Sequence, residues 1–238
     1  QDMSSNWFYK KPVLAADFNQ LGLNDNILRY QQLYINSDII IDENITTANN
    51  VNFNLNPTPI ICDNFTIKSG YTFTGNLYII AEEKIEIAGN INAMGYGSMG
   101  GRSSFSPDED NGRSGLLPFD SSIRGGRGHF PGGPLNGGIG YGAGGGAGIK
   151  TTPIVYHTGG SGGGYIILIA NEIEIKNTST ISANGGNGAG STYRGGGGAG
   201  GIINLTYSDS LINNGTQTVT GGTGFESGSD GIIIINHI

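Results

Sequence analysis

The chain has 238 residues, room for one β-type domain or two small ones, and only 13% of them are charged, against about 25% in ordinary globular domains. A net charge of −7 argues against a nucleic-acid partner, because an acidic chain repels the phosphate backbone. No apolar stretch approaches the roughly 20 residues of a membrane-spanning helix, and no secretory leader is recognisable, so no membrane insertion is expected.

Residues 1–36 differ in pattern from the rest of the chain. They hold the single Trp, Trp7, and the segment PVLAADFNQLGLNDNILRYQQLYI. Val13, Leu14, Phe18, Leu21, Leu28 and Leu33 recur at spacings that include three, four and seven, which is the helical period. Pro12 suits a helix start, and Gly22 interrupts the pattern. This predicts one or two short helices ending near Tyr34. They serve either as a cap on the adjoining core or as an attachment element whose apolar set is Trp7, Phe8, Phe18 and Leu21.

From Ser37 the period becomes two. SDIIIDENIT, VNFNLNP, NFTIKSGYTFTG and four later segments read as strands punctuated by Asn, Gly and Ser. LYIIAEEKIEIAGNINAMGYG (77–97) and YIILIANEIEIKNTSTISANGGNG (165–188) share one plan, an apolar strand, a polar corner, IEI, a second corner and an alternating strand. Residues 201–224 are a degenerate third copy. Repeats of this size suit the coils of a β-solenoid over 37–238, with alternate Ile and Leu inside and Asn, Thr and Ser at corners bonded to their own backbone. A β-sandwich is the competing arrangement. The unequal insertions favour the solenoid, since a coil can throw out a loop without disturbing its neighbours. Cys62, the only cysteine, lies in PIICDNFTI, where it can form neither an internal disulfide nor a metal knuckle and is expected in the core.

Forty-four glycines crowd mainly into two insertions, about 95–164 and 184–201. GGRGHFPGGPLNGGIGYGAGGGAG lacks the strict three-residue register of collagen, and its Phe, Ile and Tyr punctuation is unlike a Gly/Ser linker. The remaining reading is a slab of extended polyglycine helices that bond one another. Such a slab needs several runs, because one run alone cannot satisfy its own N–H and C=O groups.

These glycine runs, separated by aromatic and polar turns, resemble the tip adhesins of T-even-type bacteriophage long tail fibres. KPVLAADFNQL also reads like the opening of phage fibre and baseplate-appended proteins, and IEI…ISANGGNG resembles glycine-rich solenoid proteins secreted by bacteria. The resemblance implies a non-enzymatic fibre component of a virion tail or head, or alternatively of a secreted or cell-surface assembly. It implies fibre subunits as partners through the N-terminal segment, with a homotrimer among the allowed assemblies. It also implies a host-surface glycan or protein bound by the loops Ser103–Ile123, Gly128–Leu135, Lys150–His157 and Ser191–Arg194. The residues expected to bind are Phe105, Phe119, Arg127, Phe130, Tyr156, Tyr193 and Arg194, with Tyr141 expected to plug the slab.

The rival reading is a polysaccharide-degrading β-helix enzyme, which needs two carboxylates across a sugar. Asp108, Glu109 and Asp110 are contiguous in a loop. Glu86 and Glu174 occupy equivalent repeat positions and read as outward residues of alternating strands. His129, His157 and His237 lack metal-ligand spacing, and GGTGFESGSDG (221–231) carries Glu226 where a calcium repeat would carry Asp. The expectation is no catalytic residue, no metal and no cofactor. A structural decoration protein without a receptor is the other alternative.

Overall fold

The computed structural model describes residues 13–14, 33–34, 37–47, 59–101, 111–112, 124–127, 137–138, 141–151 and 154–238. Every regular element among them is a strand. The first sheet contains β1 (Val13–Leu14), β2 (Leu33–Tyr34), β3 (Ile39–Ile41), β5 (Ile60–Ile67), β7 (Leu77–Ile87), β11 (Tyr165–Ile175), β13 (Ile202–Asn213) and β15 (Ile232–His237). The second contains β4 (Ile45–Thr46), β6 (Thr72–Thr74), β8 (Asn90–Asn92), β12 (Thr180–Ser182) and β14 (Thr216–Thr218). Both sheets are parallel throughout, and a separate antiparallel hairpin joins β9 (Gly148–Thr151) to β10 (Ile154–His157).

The helices expected before Tyr34 are not found where the chain is described. Val13 and Leu14 pair in parallel with Ile39 and Ile40, and Leu33 and Tyr34 pair with Ile60 and Ile61. Sheet edges at β3 and β5 offer unpaired backbone groups, and that gain outweighs a weak helical period. The attachment set Trp7, Phe8, Phe18 and Leu21 lies outside the described residues.

The chain alternates between the sheets, β3 to β4, β5 to β6, β7 to β8, β11 to β12 and β13 to β14. Identical levels of successive passes therefore stack. Ile39, Phe65, Ile85, Ile173 and Leu211 form one column, and Ile41, Ile67, Ile87 and Ile175 form another. On the second sheet Ile45, Phe73, Ile91 and Ile181 line up in the same way. The members of these columns belong to one buried cluster, apart from Leu211, which packs partly buried against it. Register shifts at Cys62/Asn64, Ala170/Glu172 and their partners on β7 and β13 sit at one level of the stack, so the long strands bend together there. The repeat seen in sequence becomes the pairing of Ile85 and Ile87 with Ile173 and Ile175.

Asn92 at its corner bonds its own backbone as expected, accepting from Met94 N–H (3.0 Å), but four other asparagines reach the next pass instead. Asn44 Oδ1 accepts from Thr72 N–H (2.8 Å), Asn64 from Lys84 (3.2 Å), Asn90 from Thr180 (2.9 Å) and Asn187 from Thr223 (2.8 Å). Stacking puts an N–H of the next pass within reach of each short amide side chain, and that bond ties two passes together. Cys62 is buried, and desolvation pushes its thiol up to about 12, leaving an inert core residue.

On the outer face of the first sheet the paired IEI motifs bring Glu86 and Glu174 together with Lys84 and Lys176. Lys84 Nζ lies 2.7 Å from Glu174 and 3.5 Å from Glu86, and Lys176 bonds Glu174 while standing 3.6 Å from Glu86. Hydrogen bonds from Lys176 and Lys84 hold the Glu174 carboxyl below its ordinary range. Its contribution is therefore present above the unfolded value near 4.3 and is lost as pH falls through the lower folded value. Glu174→Gln should flatten the fall in stability between neutral and acidic pH, measured by denaturant titration across pH. An unchanged pH profile would assign the acid sensitivity to other carboxylates.

Candidate functional site

Each pass through the second sheet after β8 leads into glycine-rich chain, and these excursions meet one another. The central one is Gly195–Gly201, whose N–H groups donate to three neighbours in rotation. Gly195, Gly198 and Gly201 donate to the carbonyls of Ala189, Gly186 and Ala183 (2.7–2.9 Å). Gly196 and Ala199 donate to Gly146 and Ala143 (both 2.8 Å), and Gly197 and Gly200 donate to Glu226 and Ser229 (both 2.9 Å). Each neighbour recurs every third residue, its acceptor displaced by three. A strand would alternate two directions, so this path turns once per three residues. The carbonyls of Gly195 to Ala199 accept in turn from Phe225, Gly160, Gly126, Gly222 and Gly163.

The segment is thus enclosed by backbone, and Gly195–Gly201 is buried throughout with one methyl, that of Ala199. A Cβ on Gly196 would stand 1.9 Å from the Gly126 carbonyl oxygen, and one on Gly197 1.8 Å from that of Gly222. Side chains are excluded because neighbouring backbones occupy their space. Tyr141, expected as a plug, is buried in this region.

The glycine layer has two ends. At one, Gly201 N–H bonds Ala183, Ile202 N–H bonds Gly164 and the chain enters β11 and β13. At the other lie the β9–β10 hairpin, the turn Gly190–Arg194, the turn Gly224–Glu226 and Arg127. Ala189 N–H bonds Thr158 O (2.9 Å), Gly195 bonds Ala189 (2.9 Å) and Phe225 bonds Gly195 (2.9 Å), which draws these turns together.

Of the residues expected to bind, Arg127, Tyr193 and Arg194 come to this far end, and Tyr156 is on β10 opposite Ile149. Phe105, Phe119 and Phe130 lie outside the described residues. Arg127 grips Glu226 with a fork, Nε to Oε2 at 2.8 Å and Nη2 to Oε1 at 2.6 Å, while Glu226 N–H donates to Arg127 O (3.2 Å). The guanidinium holds the Glu226 carboxyl below its usual range. Glu226, a departure from the calcium-repeat pattern in sequence, here closes the edge of the layer. The His157 ring lies over Gly190, where a Cβ would come within 2.5 Å of it and φ is +92°. Arg194 Nε is buried with no hydrogen-bond partner among the described residues.

Sequence reasoning missed Phe225, whose side chain is 49% exposed at the same end. Its signal was an aromatic residue among the glycines of 221–231, the feature that singled out Tyr193. Among the described residues no three His, Cys, Asp or Glu side chains are grouped to hold a metal ion. Comparison of the chain with protein-family models, with curated proteins and with solved structures finds no match.

Proposed function

We propose that the chain is a non-enzymatic surface-fibre component, a receptor-binding adhesin on a virion tail or head fibre. Its β region is a solenoid and its glycine layer a slab of polyglycine helices. Alternation between two parallel sheets with passes in register supports the solenoid. The three-neighbour rotation along Gly195–Gly201 supports polyglycine helices, which turn once in three residues and have no internal hydrogen bonds. Seven residues at about 3.1 Å each carry the far turns roughly 20 Å beyond the start of β13.

One observation carries the reading: turns separated widely in sequence meet at the end of the slab away from the apolar core. Such a scaffold needs no side chains of its own, so its turns are free to vary and to bind. Tyr193 and Phe225 offer contact area with few rotors, and Arg194 adds a forked cationic donor; aromatics and Arg are prominent in recognition surfaces. The ligand is a host-surface glycan or protein, and residues 1–36 with Trp7, Phe8, Phe18 and Leu21 are the attachment element.

The test is adsorption of the purified chain to a panel of bacterial cells and a glycan array. Wild type should bind at least one target. Tyr193→Ala, Arg194→Ala and Phe225→Ala together should abolish that binding with an unchanged melting temperature. Full adsorption by the triple variant would overturn the assignment of the far end, and no binding by wild type would favour the decoration protein.

A further inference from the structure

The outer face of the second sheet carries a second surface of different chemistry. Its strands share one formula, a polar residue, an inward residue, a polar residue: Asn44-Ile45-Thr46, Thr72-Phe73-Thr74, Asn90-Ile91-Asn92, Thr180-Ile181-Ser182 and Thr216-Gln217-Thr218. Pairing aligns them without a register shift. Thr46, Thr74, Asn92, Ser182 and Thr218 make one column, and Asn44, Thr72, Asn90, Thr180 and Thr216 make the other. Every outward side chain in the two columns is a hydroxyl or a primary amide. None of these residues is buried.

Strand spacing sets the columns' repeat at about 4.8 Å, and the two-residue rise separates the columns by roughly 6.6 Å. The array is held firmly. Asn44 and Asn90 are fixed by accepting from Thr72 and Thr180 N–H, and Asn92 by accepting from Met94 N–H (3.0 Å). No side-chain hydrogen bond joins the hydroxyls of Thr46, Thr72, Thr74, Thr180, Ser182, Thr216 and Thr218 to other described residues. They form a rigid lattice of free donors and acceptors.

General solubility does not explain the pattern. The outer face of the first sheet meets the same solvent with a mixture of Tyr78, Ile80, Lys84, Glu86, Ile167 and Glu174. Two parallel columns in register, each with the same regular repeat, complement a ligand whose surface is likewise periodic. Absence of charge from the columns disfavours a mineral or an ionic polymer. Absence of aromatic rings disfavours a polysaccharide, whose sugar faces stack on such rings; Phe73 points inward. Ordered water has the remaining chemistry, a periodic array of hydrogen-bond donors and acceptors without charge. We infer that this face binds the surface of crystalline ice, independently of the far end of the glycine slab.

Wild-type protein should arrest ice growth within a measurable thermal-hysteresis gap and inhibit ice recrystallisation. Thr74→Lys with Ser182→Lys, in the middle of one column, should lose both effects. Thr180→Lys, at an exposed position, should reduce them with no change in melting temperature, and Thr66→Lys on the first sheet should retain them. Absence of both effects in wild type would overturn the inference. So would binding to crystalline cellulose or chitin without any effect on ice, full activity in the Thr180 variant, or equal loss in the folded Thr66 variant.

Discussion

Gly196→Ala combined with Gly197→Ala should lower the melting temperature by about 10–20 °C, for a loss of roughly 3–6 kcal/mol. The two new methyl groups would stand 1.9 Å and 1.8 Å from the carbonyl oxygens of Gly126 and Gly222. Those oxygens belong to backbone that accepts or makes hydrogen bonds elsewhere in the layer, so neither can retreat cheaply. Gly70→Ala is the control. Nothing lies within 4 Å of its Cβ position, but its φ is +86°, so it carries only the left-handed strain of about 1–2 kcal/mol. Alanine in a flexible glycine linker would be neutral or slightly stabilising, because it reduces the freedom of the unfolded chain. A double variant that melts no lower than Gly70→Ala would therefore refute the packed layer. Thermal unfolding monitored by circular dichroism decides between them.

Phe73→Ala should cost about 3–5 kcal/mol by denaturant titration. Phe73 is 1% exposed and stands between Ile45 and Ile91 in the inward column of the second sheet, within the cluster that also holds Phe65 and Ile85. Its ring fills the space between two sheets whose backbones are fixed by ladder bonds, so the cavity cannot collapse far. Ile91→Val, which removes one methyl group from the same column, should cost only about 0.5–1.5 kcal/mol. A loss near 1 kcal/mol for the phenylalanine would mean that the second sheet is not packed against the first.

Much of the β region was legible because its signals are local. Alternation of apolar residues from Ser37 onward places Ile39, Ile41, Phe65, Ile67, Ile85 and Ile87 on one side of their strands whatever those strands pair with. The likeness of 77–97 to 165–188 is likewise a comparison of letters, and it became the pairing of Ile85 with Ile173. The apolar neighbours of Cys62 were enough to bury it.

Other features had no local code. Val13, Leu14, Leu33 and Tyr34 carry a period closer to helix, and only the free edges of β3 and β5 make them strands. Asn64 and Asn90 can bond their own backbone or another, and the stacking of passes decides for the next one. Arg127 was legible as a cation in a glycine-rich turn, but its partner Glu226 lies 99 residues away. The glycine layer is the extreme case. Sequence alone determined that these runs need neighbours, because a glycine backbone without partners leaves its polar groups unsatisfied. It could not say that Gly196 meets Gly146 and Gly197 meets Glu226, since glycine has no side chain with which to encode a register. That register comes from the β strands at the base of the layer, which fix where each run starts, and it decides which turns meet at the far end.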